Sequence, residues 1–400
     1  MGTNGSPEAE ALLDATRALG PFIRACADEI ERERRLPAPL VDRLAAAGLF
    51  KMTVARTFGG AELDPEAIVR VIEEVSRADG STGWCVTVPT QEGLYSAHLR
   101  EDVARELFGR GPAAYVAGSV APPGRALAVD GGYRVSGRWR YNSGCLHATW
   151  LVCLCIVHDD GPDGPSPRLD ADGEPLRWYA YVPAADCRII DTWHVTGLRG
   201  TGSHDVAVED VFVPQERSAT PRLAGPAREP GALYRFGGGI LPITFAAVSL
   251  GIARGAIDAF VGLLTRPDSP KPQLRESSQV LAQLGQAETQ LRSARALLLE
   301  AVRDAWTAAC DSDVALSDAR RLPLRTASAH AAAVSARVVE MLWYAYGSSA
   351  IFANNPLERR FRDAHTAAQR FNAAVYEQAG RMLLSDDAPD PPTSLVATPQ

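Results

Sequence analysis

The order of residue patterns along this chain of 400 residues limits what it can fold into. Aromatic and β-branched residues are concentrated in a middle region, 113–216, which predicts strands. The regions on either side, 7–112 and 240–386, instead repeat apolar residues at helical spacing. The sequence therefore predicts a mainly α protein with an N-terminal helical domain, a β domain and a C-terminal helical bundle, in that order.

The N-terminal region, 7–112, contains several helix signals. Helical spacing marks the segments 10–34, 39–47, 65–78 and 100–108. The segment 79–84 interrupts this pattern, and Ser81 or Thr82 is the candidate cap of a further helix that runs toward His98. A tight turn with Trp84 in the core is the simpler interpretation of the same residues.

The middle region predicts a small antiparallel barrel or sandwich. Strand patterns cover 133–135, 139–141, 150–157, 178–182, 187–192 and 205–213. Cys153 and Cys155 alternate within one of these strands, which predicts that both lie on one buried face. The polar, Gly/Pro-rich segment 159–174 predicts an exposed and mobile loop.

A Pro/Gly-rich linker, 217–239, precedes the C-terminal region. Helical patterns there cover 240–265, 277–309, 323–346 and 355–383, and their Ala-rich stretches are typical of long helices packed side by side. The region predicts a four-helix bundle. Pro, Asp and Ser at the end of the chain predict a loose tail at 387–400.

Charge and composition argue against several functions. The net charge of -7 and the interspersed charges argue against nucleic acid and anionic membrane surfaces as partners. No stretch reaches the roughly 18 apolar residues of a membrane helix, so we expect a soluble, cytoplasmic protein. The seven cysteines and seven histidines lack the spacing of a disulfide framework or of a metal site.

Four motifs carry a family resemblance. They are Asp-Gly-Ser-Thr-Gly-Trp at 79–84, Gly-Arg-Trp-Arg-Tyr-Asn-Ser-Gly at 137–144, Gly-Leu-Arg-Gly-Thr-Gly-Ser-His-Asp at 197–205 and Val-Glu-Asp-Val-Phe-Val-Pro at 208–214. Each motif alone is a weak signal. In this order, and combined with the helical, β and helical regions, they resemble the acyl-CoA dehydrogenase fold over nearly the whole chain.

Two motif details resemble the flavin-dependent monooxygenase branch of that family. These are Ser-Gly-x-x-His-x-x-Trp at 143–150 and Gly-Thr-Gly-Ser-x-Asp at 200–205. The resemblance implies a homotetrameric oxygenase that takes reduced FMN or FADH2 from a separate NAD(P)H-dependent flavin reductase and, with O2, forms a C4a-hydroperoxyflavin. It also implies hydroxylation of an aromatic, or N-oxygenation of an amine-bearing, small molecule of secondary metabolism.

An acyl-CoA dehydrogenase or a related flavin oxidase is the alternative enzyme. Many dehydrogenases carry a catalytic Glu-Gly after the Arg-Asp pair, and this chain has Phe-Asn at 371–372 in the comparable place after Arg-Asp at 362–363. Some dehydrogenase subfamilies keep that Glu on an earlier helix, so the alternative stays open. A third interpretation is a binding protein that has the same fold but has lost catalytic activity. The presence of Tyr141 and Ser143 argues against this interpretation.

The resemblance assigns the flavin ring to the segment 137–144. Tyr141 is expected to lie along the isoalloxazine with Trp139 nearby, and the Ser143 hydroxyl is expected to reach N5. Strand alternation predicts that Tyr141 and Ser143 share one face. Backbone donors to the edge of the ring are expected from Ser119, Val120 and Ala121. The simpler interpretations are core packing of the aromatic residues and an ordinary strand-end turn.

The flavin phosphate needs other partners, because the chain has no Gly-x-Gly-x-x-Gly and no P-loop motif. The resemblance places the phosphate on the bundle, partly with residues of a neighbouring subunit. Arg266, at the end of the first bundle helix, and Ser348, in a turn between helices, are the candidates. A plain helix terminus and a plain loop are the simpler interpretation of these two residues.

Acid-base and substrate residues are less clearly marked. A hydroxylase of this branch commonly carries a His seven residues after the Asp of Arg-Asp, and Arg370 stands there in this chain. An arginine suits an anionic or oxygen-rich substrate, or one whose own amine reacts. His365, roughly 140° round the predicted helix from Arg370, and His98 are the other catalytic candidates. Substrate contacts are expected from Trp84, Gln91, Tyr95 and His147.

Overall fold

The computed structural model describes residues 6–109, 111, 114–221, 223, 227–371 and 373–384. Within them, helices, strands and again helices follow one another in the predicted order. The predicted tail at 387–400 and Asn372 lie outside the described residues. The division of the chain into domains at 112, 216 and 239 stays a prediction.

The helices of the N-terminal region are α1 Pro7–Glu33, α2 Ala38–Ala46, α3 Pro65–Ala78, α4 Gly80–Glu92 and α5 Glu101–Phe108. Asp79 separates α3 from α4 and caps α4, because its Oδ1 accepts both the backbone N–H and the hydroxyl of Thr82 at 2.7 Å. The prediction of Ser81 or Thr82 as the cap was therefore wrong. A carboxylate at the preceding boundary already satisfies the N–H groups that open the helix.

The strands form one mixed sheet in the order β6-β7-β2-β1-β3-β5-β8, with β4 paired to β3. They are β1 Val116–Val129, β2 Gly132–Asn142, β3 Trp150–Asp159, β4 Ser166–Pro167, β5 Arg177–Pro183, β6 Arg188–Ile190, β7 His204–Pro214 and β8 Ser218–Ala219. The pairing is antiparallel, as predicted, except that β1 and β3 run parallel. β4 lies inside the segment predicted as a loop.

The sheet encloses a small core of its own. Cys153 and Cys155 point into it, whereas Leu154 between them packs toward the helices, which confirms the predicted alternation. Trp139 lies in the same small core, fully buried, and its Nε1 donates to the carbonyl of Leu154 at 2.7 Å. The predicted cofactor contact of Trp139 is corrected on this ground, since its ring presents no surface outside the sheet.

Strand β1 was not recognised in the sequence. Pro122 and Pro123 interrupt its pattern, and the register against β3 shifts between Ser119 and Gly124. Prolines occur in sheets at such bulges, where no ladder hydrogen bond is needed from them. The predicted strand-end turn at 119–121 is therefore a bulge within a strand.

The helices of the C-terminal region are α6 Ala232–Phe236, α7 Ile240–Thr265, α8 Ser278–Cys310, α9 Asp318–Tyr346, α10 Pro356–Ala368 and α11 Ala374–Leu383. α6 falls inside the predicted linker, and α9 begins five residues before the predicted start because Ser317 caps it. The helix predicted at 355–383 is two helices. Arg370 therefore lies in the turn between α10 and α11.

Helix α7 is the central helix of this region and packs against α3, α9 and α10. The segment Ala232–Thr265, which contains it, is long and apolar enough to cross a membrane, and 83% of its apolar window is buried inside the protein. The expectation that no stretch reaches this length is thereby corrected. The apolar surface of α7 is covered by neighbouring helices, as in a core helix.

Candidate functional site

A continuous row of hydrogen bonds joins three of the sequence motifs. Nε1 of Trp84 in α4 donates to Oγ of Ser143 at 3.0 Å, and Oγ of Ser143 lies 2.7 Å from Oγ of Ser203. Oγ of Ser203 lies 2.7 Å from Oγ1 of Thr201, which donates to the carbonyl of Leu198 at 2.8 Å. Segments far apart in the sequence therefore meet along one row of buried hydroxyls, named here the hydroxyl row.

All hydroxyls of the hydroxyl row donate their protons in the same direction, toward Leu198. A carbonyl oxygen only accepts, so the single proton of Thr201 goes to Leu198. Ser203 must then donate to Thr201, and Ser143 must donate to Ser203. One lone pair of Ser143 receives the N–H of Trp84, and one remains. Toward any further group, Ser143 is an acceptor and not a donor.

Asp363 in α10 holds the far end of the hydroxyl row. Its Oδ1 accepts the backbone N–H of Leu198 at 2.6 Å. Burial, together with the nearby Asp79 carboxylate, raises the pKa of Asp363 to about 7. The buried guanidinium of Arg360 interacts favourably with both carboxylates. The Arg-Asp region of α10 thus positions the loop that carries Leu198.

An aromatic wall leads from Trp84 to a cavity. The ring of Phe245 in α7 packs against Trp84 with 4.5 Å between ring centroids, and the guanidinium of Arg370 lies 5.2 Å from the centroid of Phe245. A cavity of about 350 Å³ opens there, between the beginnings of α7 and α9 and the turn after α10. This volume suits a small organic molecule. A groove of about 820 Å³ lies between α7 and α8, but none of the predicted site residues lines it.

A second group of polar residues gathers at the other end of α7. Arg266 directly follows α7, and Ser348 begins the short helical turn after α9. Lys271 joins the two segments, because its Nζ donates to the carbonyl of Tyr346 at 2.6 Å. Sequence reasoning missed Lys271, for which no motif gave a signal. Two cations and a hydroxyl therefore lie on segments that meet at this end of the bundle.

Two family models match the chain. The acyl-CoA dehydrogenase N-terminal domain matches residues 6–100, and the acyl-CoA dehydrogenase C-terminal domain matches residues 243–373. The chain belongs to the acyl-CoA dehydrogenase family.

Similar proteins identify the branch of this family. Indole-3-acetate monooxygenase of Pseudomonas putida is 34% identical over 94% of this chain and 93% of its own length. The flavin-dependent monooxygenase oxygenase subunit HsaA of Rhodococcus jostii strain RHA1 is 31% identical over 89% of this chain and 92% of its own length. The structure of XiaF from Streptomyces sp. in complex with FADH2 and glycerol superposes with a TM-score of 0.83 at 29% sequence identity. The superposition covers 96% of this chain and 97% of XiaF. Within the acyl-CoA dehydrogenase family, the chain is a flavin-dependent monooxygenase.

In this monooxygenase, Tyr141 presents its ring to solvent. The side chain is 63% exposed and meets Trp193 edge-on at 6.2 Å between centroids. The backbone of Tyr141 is left-handed, with φ of 61°, and Ser143 follows in a buried turn beyond the strand. The prediction that Tyr141 and Ser143 share a strand face was therefore wrong. An open aromatic face close to a buried acceptor still fits a planar cofactor.

The β1 bulge of the monooxygenase lies beside this turn. The Ser119 hydroxyl donates to the carbonyl of Arg140 and accepts the N–H of Ala121 at 3.3 Å. Val120 is exposed at the tip of the bulge. The side chain of Ser119 thus ties the bulge to the residue that precedes Tyr141.

The three predicted residues around the end of α4 have separate neighbours. Nε2 of Gln91 donates to Thr244 in α7 at 2.9 Å, whereas Tyr95 is buried and its hydroxyl donates to a backbone carbonyl at 3.0 Å. His98 meets the edge of Tyr234, and burial lowers the pKa of His98. The helix was expected to run toward His98, and that expectation was wrong because α4 ends before Tyr95 and His98.

The other two predicted histidines do not line the cavity beside Phe245. Burial lowers the pKa of His147 to about 4, so this imidazole is neutral at physiological pH. His365 packs against Phe361 within α10, with the rings tilted and 4.4 Å between their centroids. The predicted helical angle between His365 and Arg370 does not apply, because α10 ends before Arg370.

Sequence reasoning missed Glu92, the last residue of α4. Burial raises the pKa of its carboxyl to about 8, and its Oε2 has no hydrogen-bond partner among the described atoms. Tyr95, Tyr179 and Tyr181 are its electrostatic neighbours. Glu92 is therefore a protonated acid at neutral pH. One signal was available, since Glu92 is the sole acidic residue between positions 80 and 100.

We expect the charge of Asp363 to lower the stability of the protein as pH rises. The folded protein keeps the Asp363 proton up to a pKa of about 7, whereas an unfolded Asp releases it near ~3.9, so stability falls across this window. Asp363→Asn keeps an acceptor for Leu198 and carries no charge. Its free energy of unfolding relative to wild type is expected to rise by roughly 1–3 kcal/mol between pH ~5 and pH ~8.

Chemical denaturation at several pH values measures this difference. The exposed Asp304→Asn on α8 is the control and should show no such trend. A difference between Asp363→Asn and wild type that does not change with pH would contradict the assigned charge effect.

Proposed function

We propose that this monooxygenase uses FADH2 or reduced FMN, supplied by a separate NAD(P)H-dependent reductase, and O2 to hydroxylate a small aromatic molecule. The observation that carries the proposal is the direction of the hydroxyl row, which leaves Ser143 an acceptor. Reduced flavin carries a hydrogen on N5, and oxidised flavin has only a lone pair there. Ser143 therefore suits the reduced cofactor.

The residues present fit this cofactor in two further respects. When bound, reduced flavin supplies the electrons with which one atom of O2 enters the substrate and the other leaves as water. Ser143 holds the N5 hydrogen, and the exposed ring of Tyr141 offers a face for the isoalloxazine. Burial of the hydroxyl row keeps water from competing for the remaining lone pair of Ser143.

An aromatic substrate is supported by the cavity wall and by the relatives. Phe245 and Trp84 form an aromatic surface that suits a planar ring. Indole-3-acetate monooxygenase and a resorcinol hydroxylase of Rhizobium, 30% identical, are named for aromatic substrates. N-oxygenation of an amine is the second candidate reaction, favoured by Arg370 in the place where hydroxylases of this branch commonly carry a His.

The proposal also covers the partner protein, the oligomeric state and the location of this monooxygenase. A relative named as an oxygenase subunit supports a separate reductase partner. A homotetramer, with the flavin phosphate shared between subunits, is supported by the apolar side chains exposed in the C-terminal region, among them Tyr344 on α9 and Ile351 and Phe352 in the segment that follows it. We further propose a cytoplasmic protein of secondary metabolism that acts on a small molecule.

Isotopically labelled dioxygen tests the reaction. Purified protein given reduced FMN or FADH2, labelled O2 and a panel of aromatic substrates is expected to place one labelled atom in the product. An acyl-CoA dehydrogenase would instead purify with tightly held oxidised FAD that acyl-CoA thioesters bleach. Bleaching by thioesters without label in any aromatic product would favour that alternative.

The direction of the hydroxyl row predicts a preference for reduced flavin. Ser203→Ala frees the Ser143 proton, so Ser143 can then donate to the N5 of oxidised flavin as well. We expect the ratio of the Kd for oxidised flavin to the Kd for reduced flavin to fall by about tenfold, the value of one hydrogen bond. Anaerobic titration with each redox form measures both constants.

The exposed Ser293→Ala on α8 is the matched control, with an unchanged ratio expected. Equal loss of affinity for the two forms in Ser203→Ala would show that the row only supports the fold locally.

Arg266 is expected to bind the flavin phosphate. Arg266→Met removes one charge-assisted contact, so affinity for FMN should fall by about tenfold or more. Riboflavin has the same ring and no phosphate, and its Kd should not change. The control Arg303→Met removes an exposed arginine that pairs with Glu66, and it should leave both constants unchanged. Unchanged FMN affinity in Arg266→Met would remove Arg266 from this role.

A further inference from the structure

The cavity of about 350 Å³ beside Phe245 contains an excess of positive charge. Arg321 and Arg325, one turn apart near the beginning of α9, and Arg370 after α10 all line it. The carboxylate on its wall is that of Asp318, which is 84% exposed and lies 3.8 Å from Arg321. Among the described residues that line the cavity, three guanidinium groups thus face one solvated carboxylate.

Several donors of the two cavity arginines on α9, Arg321 and Arg325, lack acceptors. Nε of Arg321, and both Nε and Nη2 of Arg325, are buried and have no hydrogen-bond partner among the described residues. Arg370 lies over the ring of Phe245. A buried donor without an acceptor is unfavourable, and more so when it is charged. An anion bound between these arginines would remove that cost.

The rest of the cavity wall is apolar and continues toward the hydroxyl row. Leu241 and Phe245 of α7 line it, together with Phe371. Phe245 contacts Trp84, which donates to Ser143. One continuous path therefore leads from the three arginines, along an aromatic surface, to the hydroxyl assigned to the cofactor.

We propose that this cavity binds the substrate as an aromatic carboxylate, with the carboxylate held by Arg321 and Arg325 and the ring against Phe245. The inference rests on the proposed function, because that function makes the cavity the substrate site. Guanidinium groups bind carboxylates in a bidentate manner, and two of them one helical turn apart present donors on the same face. A neutral substrate of the same shape would leave these donors unpaired.

Binding of naphthoate and of its neutral amide, naphthamide, tests the proposal without flavin. Calorimetric titration of the full-length protein is expected to give a Kd for naphthoate at least about tenfold lower than that for naphthamide. In Arg325→Met this preference should disappear, and in Arg321→Met it should decrease. Arg320→Met is the matched control, because Arg320 is exposed on the same helix and does not line the cavity, so its preference should remain.

Three outcomes would overturn the proposal. In the first, naphthoate and naphthamide bind wild type equally. In the second, the preference survives in Arg325→Met although circular dichroism shows a folded protein. In the third, Arg325→Met weakens FMN but not riboflavin and leaves the preference for naphthoate unchanged, which would assign the arginines to the cofactor phosphate.

The experiments distinguish a failure of the proposed monooxygenase function from a failure of the proposed carboxylate site. Binding of naphthoate is measured without flavin or oxygen, so it stays informative if no labelled product forms. Conversely, neutral aromatic substrates alone could give labelled product while naphthoate shows no preference in binding. That result would support the proposed monooxygenase reaction and overturn the carboxylate site at Arg321 and Arg325.

Discussion

The hydrogen-bonded row from Trp84 to Leu198, held by Asp363, is the interaction on which the site depends. It contains one residue of α4, one turn after β2 and one loop before β7, and α10 closes it. Because each hydroxyl carries a single proton and the last acceptor is a carbonyl, the whole row has one direction. Packing of helices against the sheet thereby decides the hydrogen-bonding character of Ser143.

Asp363 shows why this arrangement is costly and how the fold tolerates it. A buried carboxylate near a second carboxylate is unfavourable, which raises its pKa to about 7. The buried Arg360 and the N–H of Leu198 offset part of this cost. A buried carboxyl with a strongly shifted pKa is common at functional sites. Here it positions the loop that carries the row.

The fold was largely predictable from local patterns, because helical spacing and strand composition depend on neighbours in sequence. α3 and α7 begin and end where predicted, and the alternation of Cys153 and Cys155 placed their strand correctly. β1 was missed because its two prolines are tolerated only at a bulge opposite β3, which is a long-range contact. The family could be predicted from four motifs, because their order along the chain is specific although each motif alone is a weak signal.

The sequence alone determined the order of the three regions and the family, since both follow from patterns of residues close together along the chain. Tertiary structure alone decided that Trp139 lies in a core, that Ser143 accepts, and that Arg321, Arg325 and Arg370 meet in one cavity. The physical reason is the same in each case. Burial, proton direction and charge balance depend on groups brought together from distant segments, and no local pattern records which groups those are.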